Sequence, residues 1–233
     1  MAAGKLGKAG STTREVFSLS VTLSSNAVSG RTLVSVCTID WTVTLDVVTR
    51  DGWEIVAQYQ GGSGSDLVKT GMAIKRRATG GGDASDTCNW TWGGVVDDAA
   101  AAAIVELDDD FGSNGVAVAS TGAAITSLAR SINLGSLRAA GDGFALATVG
   151  VSDVNNWDAS GMRGPLATWS GSFSELANSY TYGGDGVTVE DTGLSIATRT
   201  VRASDTVGTT ATAADTAGSS SMASGVIAVF TSR

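Results

Sequence analysis

A chain of 233 residues with a net charge of −8, 16% charged residues, 31 glycines, one proline and no histidine is tightly bounded before any motif is sought. Its length suits one large β domain or two of about 110 residues, each able to bury its own core. The absent histidine removes imidazole acid–base chemistry, Ser-His-Asp and Cys-His arrangements and the commonest zinc ligand, and the acidic balance argues against nucleic acid as a partner.

Residues 1–14 hold Lys5, Lys8 and Arg14 and no acid, so two of the four lysines lie in a Gly/Ala/Ser/Thr stretch. This reads as a flexible basic arm, able to order against an acidic neighbour in an assembly. No apolar run of 7 to 15 residues follows Lys8, so the arm is not expected to be a secretory signal, and no stretch approaches the length of a membrane span. Phe17 to Leu23 alternates apolar and polar residues, the period of a half-buried strand. Leu33 to Ile39 is a second strand, and Trp41 to Val47 a third, closed by the turn pair Asp51-Gly52. Trp53 to Tyr59, Leu67 to Arg77 and Thr87 to Trp92 follow, the last with Trp90 and Trp92 on one face. Ala99 to Ala103 has the composition of a helix. Its counterpart near the C-terminus, Ala223 to Phe230, is rich in Val, Ile and Phe and alternates, so Ala100 to Leu107 is assigned as strand. Strands are expected again at Val116 to Leu128, Ser131 to Leu134, Phe144 to Val151, Val187 to Arg202, Thr206 to Ala211 and Met222 to Phe230, with a variable region from Asp153 to Gly186.

The second half repeats the first in the same idiom. Val21 to Gly30 matches Ile132 to Gly141, Thr70 to Ile74 matches Thr192 to Ile196, and Ile104 to Leu107 matches Ile227 to Phe230. The three matches fall in the same order, and the second copy is longer by about 11 residues. That length is domain-scale, not a solenoid unit. The sequence therefore predicts an all-β protein, an antiparallel β-sandwich or jelly roll built as a tandem duplication. Its parts are an arm (1–14), a first unit (15–110) and a second (111–233). Two subdomains sharing an interface are favoured over strands interleaved in one larger sheet pair.

Candidate chemistry is sparse. Asp97-Asp98, Asp108-Asp109-Asp110 and Glu190-Asp191 lack the alternating oxygen ligands of a calcium loop, so no metal is expected. Glu54, Glu106 and Glu175 could supply the two carboxylates of a glycosidase, but Glu54 and Glu106 occupy alternating strand positions expected to face solvent or an edge. The Gly61-Gly62 and Gly80-Gly81-Gly82 loops lack the Lys-Ser/Thr of a phosphate loop and read as turns. No cofactor and no enzymatic activity is expected. Cys37 and Cys88 read as small buried hydrophobes, with a mutual disulfide as the minority case. Six tryptophans fit a core plus interface anchors, or less readily a sugar-stacking platform. Trp157, between Asn155-Asn156 and Asp158 in the extra length of the second copy, is the best exposed candidate and with Lys5, Lys8 and Arg14 makes up the expected partner contacts.

A Ser/Thr-rich opening strand, a small-residue turn ending in Gly30 or Gly141, an apolar strand, the segment Gly52-Trp53-Glu54-Ile55-Val56, a strand ending in Lys75-Arg76-Arg77 and the closing strand Ile227 to Phe230 together resemble a class of tailed-bacteriophage virion proteins, head decoration or minor tail proteins. The second copy departs from the pattern, having no Gly-Trp pair and only Trp169 to Phe173 nearby. The resemblance implies a non-enzymatic virion protein that decorates and stabilises the capsid surface, with a minor tail or fibre protein that binds carbohydrate as the alternative. The partners so implied are the major capsid protein or tail proteins, further copies of the chain and a possible glycan, with no nucleic acid and no membrane.

Overall fold

A computed structural model describes residues 5–11, 18–40, 44–47, 49–63, 66–93, 100–108, 116–125, 131–153, 167–180, 191–213 and 221–231. The first half contributes β1 (Lys5–Ser11), β2 (Ser18–Val21), β3 (Leu33–Asp40), β4 (Thr44–Val47), β5 (Trp53–Ser63), β6 (Asp66–Lys75), β7 (Cys88–Gly93) and β8 (Ala100–Glu106). The second contributes β9 (Val116–Ile125), β10 (Ser131–Arg138), β11 (Gly143–Asp153), β12 (Ala167–Trp169), β13 (Ser174–Tyr180), β14 (Asp191–Val201), β15 (Thr206–Ala213) and β16 (Ser221–Thr231). All pairings are antiparallel, and the all-β sandwich expected from the alternation is what forms.

Each half folds into a five-stranded and a three-stranded sheet with the same internal order. The first half runs β1-β8-β3-β6-β5 and β2-β7-β4; the second runs β9-β16-β11-β14-β13 and β10-β15-β12. In both, the first strand pairs with the eighth, the second with the seventh and the third with the sixth. A bulge recurs as well: Val56 is the extra residue between Ile55 and Ala57, and Leu176 the extra residue between Glu175 and Ala177. Both bulged side chains pack on the same central core. The strands of the two halves do not interleave.

The sheets stack in four layers, with the two five-stranded sheets innermost. Period-two alternation on β3, β6 and β8 divides their side chains between two cores. Leu33, Cys37, Ile39, Ala73, Ala102 and Ile104 face the first three-stranded sheet and meet Val21, Leu45, Cys88 and Trp90. Val34, Val36, Met72, Ile74, Ala103 and Val105 point the other way, against Phe144, Leu146, Leu194, Ile196, Val226 and Phe230. The opposite face of the second inner sheet packs Ala147, Val149, Ile227 and Val229 on Ile132, Leu134 and Val207. A sheet covered on both faces needs apolar residues at every position, and β8 is buried throughout. That is why an alanine run with helical propensity lies here as a strand: small side chains let two sheets approach a third.

The halves meet around a pseudo-two-fold axis. β3 lies over β11, β1 beside β13 and β9 beside β5, β8 against β14 and β16 against β6. Equivalent strands thus exchange roles, as in an isologous dimer interface. A Cβ at Gly150 would overlap Thr38 Oγ1, so this central approach requires glycine. Beside it Thr70 Oγ1 lies 2.8 Å from Thr38 Oγ1 and 2.6 Å from Ser224 Oγ, a buried hydroxyl chain joining the two units.

Three expectations of strand and turn need correction. Gly61 and Gly62, read as a turn, lie within β5 and pair with Val68 and Leu67. Lys5–Ser11, expected to be part of a flexible arm, pairs as β1 along β8 from Lys5 opposite Glu106 to Ser11 opposite Ala100. Within the region expected to be variable, Ala167–Trp169 and Ser174–Tyr180 are strands.

Candidate functional site

The surfaces open to partners are the outer faces of the two three-stranded sheets, set by strand alternation. On β2 and β4 the burial pattern is exposed-buried-exposed-buried, which turns Ser18, Ser20, Thr44 and Asp46 outward. On the opposite side of the molecule, β10 turns Ser131 and Asn133 outward beside the neighbouring positions Thr210 and Thr212 of β15. Both faces are carpets of short hydrogen-bonding groups, neutral apart from Asp46 on the first. They cross-link along the sheet: Ser20 Oγ donates to Asn89 Oδ1 at 2.6 Å, and Ser131 Oγ lies 2.8 Å from Thr212 Oγ1.

Among the described residues, the second face carries a bulge that the first lacks. Between Asn133 and Ser136, β10 gains one residue on β15, and Gly135 there takes a φ of 81°. This glycine-dependent bulge borders a groove of about 330 Å³ lined by Asn133, Ser136, Ser170, Thr209 and Thr210, with Gly135 and Gly208 between them. Ser170 Oγ accepts from Thr210 N at 2.8 Å, and Asn133 Oδ1 from Gly135 N at 2.8 Å, so its walls are held by the strands. The lining has no charged side chain, which suits a neutral polar ligand rather than an ion.

The ionisable groups serve the fold. Lys75 and Asp86 form an ion pair at 2.9 Å with both side chains under one-tenth exposed. Lys75 Nζ also donates to Ser85 O and Oγ, and Asp86 accepts from Thr79 N and Gly80 N. Glu106, expected at solvent or an edge, is fully buried. Its carboxylate accepts from Val28 N at 2.7 Å and from Arg31 Nη1 at 2.8 Å, pinning the chain that leads from β2 to β3. Glu54 is ion-paired with Arg76 at the surface, and Glu175 accepts from Ser195 Oγ. The three glutamates therefore have separate partners. Among the described residues no group of three His, Cys, Asp or Glu side chains gathers that could hold a metal ion. Among the described residues no helix is long and apolar enough to cross a membrane.

Of the expected contact residues, Lys5 and Lys8 lie in β1, at the edge of the first inner sheet. Arg14 and Trp157 lie outside the described residues. So do the acid pairs Asp97-Asp98 and Asp109-Asp110, whereas Asp108 sits 4.0 Å from Arg31. Residues 41–43 join β3 to β4, but 154–166 join β11 to β12, so the added length that contains Trp157 falls in one connection. Trp53, Trp90 and Trp92 are core residues. Trp90 Nε1 donates to Ser35 Oγ at 2.9 Å, and Trp169 Nε1 to Ser195 Oγ at 3.1 Å. Cys37 and Cys88 are free, buried thiols. Burial pushes both up in pKa, Cys88 to about 12. The groove at Gly135 escaped the sequence pattern, because the one available signal, a glycine two residues after an asparagine, is common to many turns. No family model, no curated protein and no solved structure matches the chain.

Proposed function

We propose that the chain is a non-enzymatic structural protein of a tailed-phage virion, a capsid decoration protein that binds and stabilises the capsid surface, and that its two units arose by tandem duplication. The observation that carries this reading is the repeated eight-strand order, with first and eighth, second and seventh, and third and sixth strands paired in each unit. Nested pairing of this kind is the plan of the jelly roll, which recurs in viral capsid and lectin domains; the step from fold to role is one of analogy. The stacking supports it too. Two hydroxyl-rich faces, uncharged apart from Asp46 on one of them, point in opposite directions from a four-layer core, a shape suited to bridging neighbouring subunits. The test is to purify particles produced from the genome that encodes the chain and to locate it by immunogold labelling. Label on the head supports decoration, label on the tail moves the protein to a minor tail role, and particles that lack the chain refute a virion role.

A second reading has its own observation. The groove beside Gly135 offers hydroxyl and amide groups without charge, a lining fit for a neutral sugar, so a tail or fibre protein that binds carbohydrate is the alternative. Binding on a glycan array that Asn133→Ala abolishes would favour it over decoration.

A further inference from the structure

β1 and β9 hold the same place in their units, each at the edge of an inner sheet and paired along one neighbour, β8 or β16. Their sequences differ in kind. β9 reads VAVASTGAAI, with seven apolar residues in ten. β1 reads KLGKAGS, where Leu6 and Ala9 are the apolar positions among two lysines and two glycines. Glycine in a strand gives up chain entropy and has no side chain to pack, and lysine is a residue of sheet edges. What the structure records for β1 is a seven-residue main-chain ladder with β8.

The position it fills is demanding. β8 is AAAAIVE and buried at every residue. Without a strand beside it, its outward N–H and C=O groups would be bare at the border of two apolar cores, a cost in unpaired backbone and a template for aggregation. Some strand must therefore lie there, but little in the sequence of β1 ties it to its own chain. Residues 12–17 join it to the rest of the described fold, a length of at most about 20 Å when extended. The next strand, β2, belongs to a different sheet. β9 is instead joined on both sides, through 107–115 to β8 and through 126–130 to β10.

We infer that β1 is an exchangeable strand, and that in an assembly the Lys5–Ser11 segment of one copy pairs along β8 of a second copy in the register seen within the chain. This rests on the proposed virion role for the occasion of assembly. Main-chain pairing supplies affinity with little demand on side chains, and exchanging identical strands loses no contact, so local concentration decides the outcome. The partner recognised is a second copy of this chain.

Cysteine capture tests the exchange. Ser11 pairs with Ala100, and Ala100 is 2% exposed, so a thiol there is reached by a strand lying along β8 and not by a passing surface. Ser11→Cys and Ala100→Cys, introduced in separate chains, mixed at high concentration and oxidised with diamide, should give a reducible heterodimer at least tenfold above the homodimers of either variant alone. Heterodimer no greater than those controls overturns strand exchange. A labelled peptide of residues 1–17 probes the unmodified protein: saturable binding that Ala9→Pro weakens at least tenfold supports the inference, and no saturable binding overturns it. Sedimentation of the wild type keeps the two readings apart. Self-association without heterodimer capture defeats exchange while leaving assembly standing, and loss of the virion role is read from the particles themselves.

Discussion

At the scale of single residues, the first unit rests on two buried carboxylates, Asp86 and Glu106, the second of which its sequence placed at solvent or an edge. Asp86 offers both oxygens to backbone amides and one to Lys75. Removing one partner of a buried pair leaves the other charge uncompensated, which costs more than the pair itself contributes. Asp86→Ala should lower the unfolding free energy by about 3 kcal/mol in urea titration. Arg76→Ala, at the exposed pair with Glu54, should cost under about 1 kcal/mol. Equal losses at the two sites would mean that burial does not control the strength of these pairs. The thiols give a second prediction. Burial raises Cys37 and takes Cys88 to about 12 from an ordinary value of 9.0. Native protein at pH 8 should resist a thiolate-selective reagent that labels both sites in urea. The folded thiols keep their protons where unfolded ones lose them, so stability from these groups is intact below about pH 9 and falls as pH rises toward 12. A fold whose stability stays flat over that window in the wild type, and matches a Cys88→Ala variant there, would refute the assignment.

At the scale of elements, the close approach of the inner sheets depends on positions without side chains. Gly150 faces Thr38 and Thr70 across the interface with no room for a methyl group. Gly150→Ala should cost about 2 kcal/mol by overpacking, and Thr38→Ala in the same chain should recover part of that loss. A double-mutant cycle checks it: strict additivity would show that the two residues do not share the space. Most elements were legible because alternation is a local property. Leu33 to Ile39, Trp90 with Trp92, and Met222 to Phe230 declare a strand from their own residues. The strand at Ala100 was legible only through its Val- and Phe-rich counterpart, since alanine alone prefers helix. β1, β12 and β13 were not legible. KLGKAGS has no apolar period, ATW is too short to show one, and SELANSY holds just two aliphatic side chains. Each is a strand because a neighbour supplies the ladder. The candidate site was legible only as a class of surface. Ser131 to Leu134 announced an alternating strand with a polar face, but the groove arises from a bulge opposite Thr209, a non-local pairing that no single segment encodes.

At the scale of the whole molecule, the 16% charged content has a structural cause. The central strands of the two inner sheets, β3, β6, β8, β11, β14 and β16, are covered on both faces and built largely from apolar and small side chains, and the outer faces hold mainly short hydroxyls. The repeat in the sequence pointed to two units but not to how they meet, because either face of an alternating strand could have been the solvent face. The stacking has a consequence that can be measured. Separated at the junction, residues 1–110 would expose Val34, Val36, Met72, Ile74 and Val105, and residues 111–233 would expose Phe144, Leu146, Ile196 and Phe230. An apolar sheet face of that kind does not persist in water without a partner. The full chain should therefore unfold in one cooperative transition, with coincident signals from the tryptophans of the first unit and from a probe placed in the second. Expressed alone, each half should self-associate, and because the interface is isologous, a homodimer that copies the internal pseudo-two-fold is the expected product for 1–110. Co-expressed halves should instead recover a one-to-one complex with the thermal stability of the full chain at high concentration. A half that stays a folded monomer at any concentration, or two separate transitions in the intact chain, would show that the central core does not join the units.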